Sequence, residues 1–284
     1  MREGLPSGTS FLVSFARGLG VDDQVLDPIA SDLLPPWLGQ LAEAPSRLGG
    51  LASLYRDAVR ATTFGLIDHM VLRTQAIDTH LASALQSGIA QLVILGAGLD
   101  ARAWRIEKLK RASVFEVDHP STQRYKQKRI GDRSPPADIR YVAVDFERER
   151  FSDGLERAGF RPGEPSAWIW EGVAMYLPLH AIHDTLEQLT SLAAAGSELA
   201  MTYRVPGMFP FGAFGRAVIP ALFDVGGEPL KGTLEPHELV SALAPEWDVV
   251  YDEDARGWQE LTGSIANPAR SFLAERLAIG KRRS

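Results

Sequence analysis

Five carboxylates and a pair of glycines stand where short apolar runs of this sequence end, and they are its best-suited groups for gripping a ligand. Gly96, Ala97 and Gly98 follow the run 91–95, with Asp100 two positions further on. Glu116 and Asp118 close the run 113–117, Asp145 follows 141–144, and Glu171 follows 167–170. Glycines let backbone approach a ligand closely and free N–H groups at the start of the next helix. A carboxylate roughly twenty residues beyond such a turn is at the offset that reaches ribose hydroxyls. Glu116 and Asp118 both stand there. Asp145 is placed to accept from the exocyclic amine of a base, and Phe146 beside it can stack. Arg73, on a helical segment before the first run, offers a guanidinium to a free amino-acid carboxylate.

These residues converge only if the runs are neighbouring strands. From residue 91 onward the chain alternates strand-like and helix-like segments: strands at 91–95, 113–117, 141–144, 167–170, 198–203 and 247–251, and helices at 99–111, 121–130, 151–158, 179–194 and 235–243. A last strand or helix is expected over 270–279. Such alternation predicts an α/β fold with a doubly wound, mostly parallel sheet, in which ligands bind beyond the carboxyl ends of the strands. Before it, residues 1–88 read as helices punctuated by Pro and Gly, with apolar spacing running from Leu51 through Leu72 and on to Leu85. Residues 204–233 interrupt the rhythm with many Pro and Gly among Met and Phe, the composition of a lid or pocket wall.

Two ligands suit this constellation. Gly96-Ala97-Gly98-Leu99-Asp100-Ala101 satisfies the relaxed dinucleotide fingerprint, with Ala in the third position. Asp100, however, sets a carboxylate at the helix start where a pyrophosphate would sit, and like charges repel there. Arg73 suits an amino-acid tail. An adenosyl cofactor without pyrophosphate is favoured over a nicotinamide dinucleotide. A binding protein that holds such a ligand without chemistry is the non-enzymatic alternative.

An ordered set of motifs sharpens the reading: Val71-Leu72-Arg73-Thr74 with Asp78; Leu92-Val93-Ile94-Leu95-Gly96-Ala97-Gly98-Leu99-Asp100; Phe115-Glu116-Val117-Asp118-His119-Pro120 with Lys126 and Lys128; Val144-Asp145-Phe146; and Trp170-Glu171-Gly172-Val173-Ala174-Met175-Tyr176-Leu177. Together they resemble the leucine carboxyl methyltransferase family, including its bacterial O-methyltransferase branch. The resemblance implies a class I methyltransferase-like fold with a helical N-terminal cap over 1–88, a cofactor-binding domain over 89–284 and a lid insertion over 204–233. It implies S-adenosyl-L-methionine as cofactor, with Arg73 on the methionyl carboxylate, residues 96–100 beneath the methionyl and ribose portion, and Asp118 on the ribose with Glu116 as its competitor. Asp145 and Phe146 would contact adenine, and Glu171 the methionyl amino group. The eukaryotic members carry a lysine near the amino terminus that reaches the cofactor; here only Ser10-Phe11-Leu12-Val13 is found. Protein-docking features of those members are also missing. The implied acceptor is therefore a carboxylate or hydroxyl of a small metabolite, such as a polyketide or other secondary product. Tyr203 and Arg204, at the end of a strand beside the lid, are the catalytic candidates on the acceptor side.

Bulk properties agree with this class. The chain has 284 residues, no cysteine and a net charge of -6, with 45% hydrophobic residues. Thiolate chemistry and disulfides are excluded, and the charge gives no reason to expect nucleic acid or an anionic membrane as partner. The run 11–16 is shorter than a signal-peptide core, so a cytoplasmic location is expected. Six histidines are scattered; His180 and His183 have helical spacing but lack a third ligand, so no metal is expected.

Overall fold

The computed structural model describes residues 6–21, 27, 29–63, 65–146, 148–207, 229–267 and 274–284. Its centre is a seven-stranded sheet: β1 (Gln91–Leu95), β2 (Ser113–Asp118), β3 (Asp138–Ala143), β4 (Ala167–Trp170), β5 (Glu198–Arg204), β6 (Trp247–Glu253) and β7 (Glu275–Arg282). The spatial order is β3-β2-β1-β4-β5-β7-β6. The pairings from β3 through β5 are parallel, whereas β7 runs antiparallel to both β5 and β6. The doubly wound expectation holds, and the undecided segment at 270–279 proves to carry a strand.

Strand alternation divides the core in two. Leu92 and Ile94 pack on one face with Leu72, Ile77 and Phe15, while Val93 and Leu95 pack on the other with Trp168, Trp170 and Leu189. Side chains of successive strand residues point to opposite faces, so a strand covered by helices on both sides must be apolar throughout. β1 is buried at all five positions and apolar at four, and its polar first residue, Gln91, is satisfied by the Arg161 backbone N–H and carbonyl. Trp168 can lie in the core because its indole N–H donates to Ser166 Oγ at 2.8 Å.

On the first face lies the long helix Leu66–Gln86. The helical pattern expected from Leu51 is two helices, Ala52–Thr62 and Leu66–Gln86, separated at Gly65, whose φ of 85° breaks the helix before Leu66. The helix expected over 99–111 shrinks to one turn, Arg102–Arg105, and a 3-10 segment, Glu107–Arg111. A further helix, Ala255–Thr262, was not anticipated. No helix among the described residues is long and apolar enough to cross a membrane. Most of the expected lid, residues 208–228, falls outside the described residues.

Candidate functional site

A cavity of about 470 Å³ opens beyond the carboxyl ends of β1, β2 and β4. That volume falls within the range of small-molecule sites. Arg73, Gly96, Ala97, Gly98, Asp100, Asp118, Asp145, Phe146 and Glu171 all line it, so residues drawn from five separate stretches of sequence share one wall.

The glycine turn is stitched to the neighbouring strand. Gly96 and Ala97 both donate main-chain N–H groups to the Val117 carbonyl, at 2.8 and 3.1 Å. Gly96 and Gly98 have φ values of 67° and 53°, left-handed conformations that favour glycine. A Cβ on Gly98 would lie 2.7 Å from Ser10 Oγ, so the N-terminal helix Gly8–Leu19 packs directly on the turn. Asp118 accepts from Gly98 N–H through one carboxylate oxygen and from His119 N–H, at 2.6 Å, through the other. Burial raises the Asp118 carboxyl above its ordinary range, and these donors offset only part of the shift.

Beyond the turn, Asp100 Oδ1 takes the N–H of Arg102 at 2.8 Å. The start of this one-turn helix is already occupied by a carboxylate. It offers none of the open helix N-terminus on which a dinucleotide pyrophosphate rests.

Beside Asp100 the cavity holds a dense charge cluster centred on Glu171. Arg73 Nε donates to Glu171 Oε1 at 3.0 Å, and Arg102 Nη2 donates to Oε2 at 2.7 Å. Arg17 approaches the same oxygen at 3.4 Å. Burial alone would raise the Glu171 carboxyl, but Arg102, Arg73 and Arg17 hold it well below the usual range. Arg102 is tied further to Asp78 at 2.7 Å and to Asp100. Arg17 is held more loosely. Its other contacts are Thr74 at 3.4 Å and Asp100 at 3.8 Å, and burial lowers its guanidinium below the ordinary value. A buried guanidinium without short partners is suited to receive another anion.

Some expected residues are not on this wall. Glu116 is buried behind the turn, where Lys126 Nζ donates to it at 2.6 Å and also to the Asp100 carbonyl. That pairing engages one oxygen of the carboxylate and supports the turn from below, and of the two rivals only Asp118 lines the cavity. Tyr203 and Arg204 are not among the described residues that line the cavity. On β5, Thr202 and Tyr203 point to opposite faces. Thr202 Oγ1 accepts the Gly172 N–H at 2.8 Å on the cavity's side, whereas Tyr203 donates to Asp252 at 2.7 Å on the far side, where Arg276 also binds Asp252.

Sequence reasoning missed several residues of the wall. Ser10, Val13 and Arg17 line it from the helix Gly8–Leu19 at i, i+3, i+7 spacing, one helical face. Arg17 thus brings a cation from the amino-terminal region, where only an uncharged stretch had been noted. Tyr176, given no role of its own above, also lines the cavity and shares a 2.8 Å hydrogen bond with Thr9.

The family model of leucine carboxyl methyltransferase matches residues 14–190, more than half of the chain. A candidate S-adenosyl-L-methionine-dependent methyltransferase of Rhodococcus jostii is 40% identical over 180 residues, covering 62% of this chain and 58% of that protein. A Mycobacterium marinum protein of the same description is 42% identical over 135 residues, covering 47% of this chain and 41% of its own length. The match thus spans between two fifths and three fifths of these curated relatives. Among solved structures, a candidate methyltransferase of Thermobifida fusca aligns over 100% of this chain and 97% of its own, with a TM-score of 0.61 at 16% identity. A DUF574 family protein of Streptomyces avermitilis aligns over 98% of both chains, with a TM-score of 0.60 at 14% identity. These two share the fold. With a family model covering the glycine turn, the acidic strand ends and the Arg73 helix alike, the chain belongs to the leucine carboxyl methyltransferase family.

Proposed function

We propose that this protein is an S-adenosyl-L-methionine-dependent O-methyltransferase acting on a carboxylate or hydroxyl of a small metabolite, such as a polyketide or other secondary product. The observation that carries the reading is one cavity bounded by Arg17, Arg73 and Glu171 at one end and by Asp118, Asp145 and Phe146 elsewhere on its wall. That donor set suits an amino acid joined to a nucleoside. Arg73 and Arg17 would hold the carboxylate, Glu171 the ammonium, Asp118 the ribose hydroxyls, and Asp145 with Phe146 the adenine. Asp118 is well prepared for its part, because Gly98 and His119 fix its rotamer while leaving lone pairs to accept more.

Bound there, S-adenosyl-L-methionine supplies an electrophilic methyl group on a sulfonium. The protein's own contribution is alignment and exclusion of water. The wall around Thr9, Val13, Tyr176, Leu177 and Lys231 is the proposed acceptor side. Residues 1–88 are proposed as a cap over the cavity and 204–233 as a lid. An ionised carboxylate needs only positioning, whereas a hydroxyl gains from a base.

Calorimetric titration with S-adenosyl-L-homocysteine and with NAD tests the cofactor. Binding of the first and not the second is expected; the reverse would overturn the reading. Transfer of a labelled methyl group to a panel of carboxylic acids and phenols tests the reaction. Tight cofactor binding with no transfer across the panel would favour a non-catalytic binding protein.

A further inference from the structure

Arg73 does not reach the cavity unaided. Its Nη1 donates to both oxygens of Glu275, at 3.0 and 3.1 Å, while its Nε is held by Glu171. A guanidinium is a rigid planar fork, so fixing two of its nitrogens fixes the third. That third nitrogen, Nη2, borders Gly172 on the cavity wall; a Cβ on Gly172 would stand 3.3 Å from it. Glycine, with φ 66°, keeps this approach open.

Glu275 is itself firmly set. It begins β7, is 5% exposed, and accepts or shares a proton with His69 Nε2 at 2.6 Å. The Thr202 hydroxyl also donates to it. His69 stands one helical turn before Arg73 on the same helix and packs against Trp258 with ring centroids 5.3 Å apart. Helix Leu66–Gln86, β5 and β7 thus meet at one carboxylate.

We propose that Glu275, braced by His69 and Thr202, is the positioning residue that turns the Arg73 guanidinium so that Nη2 faces the cofactor's carboxylate. Without it the nearest carboxylate is Glu171, and a guanidinium prefers a two-pronged pair with a carboxylate when one is free. Arg73 would then fold onto Glu171 and withdraw from the cavity. The inference rests on assigning the cavity to the adenosyl cofactor.

The test compares two ligands that differ in the tail. S-adenosyl-L-homocysteine carries the amino-acid carboxylate, and 5′-methylthioadenosine lacks it. Glu275→Gln is expected to weaken the first about tenfold or more, as loss of a charge-assisted hydrogen bond does, and to leave the second within about twofold. Glu275→Asp, which keeps the charge and shortens the reach, carries the same expectation should the glutamine variant fail to fold. Equal losses for both ligands, or no loss for either, would overturn the proposal while the parent protein still binds both. Failure of the parent protein to bind S-adenosyl-L-homocysteine would instead remove the cofactor assignment, and the proposal with it.

Discussion

The Asp118 carboxylate receives the Gly98 main-chain N–H across a separation of 20 residues, tying the end of β2 to the turn that follows β1. One side chain therefore both shapes the turn and faces the cavity. Asp118→Ala is expected to lower S-adenosyl-L-homocysteine affinity about ten- to a hundredfold, the usual effect of losing a hydrogen bond to a charged group. Asp118→Asn should recover part of this, since an amide oxygen can still accept from Gly98. Calorimetry on the two variants reads the difference.

Arg17 and Arg102 both face Glu171 but should fail in different ways. Arg102 makes close contacts with Asp78, Asp100 and Glu171. Arg102→Met would take a close partner from three carboxylates, leaving Asp100 with only the distant Arg17 while Glu171 keeps Arg73 and Asp78 keeps Arg105. It is expected to cost about 3–5 kcal/mol of stability. Arg17→Met removes a guanidinium whose burial is poorly compensated. Its unfolding free energy should stay within about 1 kcal/mol of the parent, since a buried charge replaced by an apolar group is often neutral, while cofactor binding falls. Urea unfolding beside calorimetry separates the pair; similar destabilisation of both variants would count against the distinction.

Packing of the N-terminal helix on the glycine turn predicts a measurable coupling. Gly98→Ala should destabilise through both its left-handed φ and the clash with Ser10 Oγ. Adding Ser10→Ala relieves the clash and leaves the backbone strain of roughly 1–2 kcal/mol. A double-mutant cycle should therefore show a non-additive recovery of about 0.5 kcal/mol or more. Strict additivity would mean that the helix does not rest there in solution.

Acid should unfold the protein partly through Glu275. Burial would raise this carboxyl, yet Arg73 and His69 bring it from the ordinary 4.5 down to about 2. A group depressed in the fold stabilises above its unfolded pKa and loses that contribution as pH falls toward its folded one. The wild type should thus lose about 3 kcal/mol between roughly pH 5 and pH 2 through this residue. Glu275→Gln, less stable at neutral pH, should show a flatter acid limb in urea unfolding followed from about pH 5 to about pH 3. Parallel limbs would contradict the assignment.

What the sequence discloses is set by how local each signal is. The turn at Gly96–Asp100 and the acids closing β2 and β4 were legible because strand, glycine and carboxylate are adjacent in sequence. Arg17 was not, since its partner Glu171 lies 154 positions away and the helix around it reads as an ordinary apolar run. The segment 99–111 shows the converse. Its composition suits a helix, but Arg102 is drawn inward by Asp78 and Glu171, and those buried pairs prevail over propensity. The face that Tyr203 presents was not legible, because period-two alternation fixes a side chain's face only once its neighbours on β7 and β6 are known. Glu116 and Asp118 have the same chemistry and nearly the same offset, and only the buried Lys126 distinguishes them.

Because β7 slots antiparallel between β5 and β6, Arg73 meets Glu275 across 202 positions. A growing polypeptide would expose the helix bearing Arg73 long before its counter-charge exists. Loop closure of that length is slow compared with forming the helix itself. On the role proposed for Arg73, competence to grip a ligand's tail is therefore among the latest properties the folding chain acquires, and a half-made protein should have no premature appetite for cofactor.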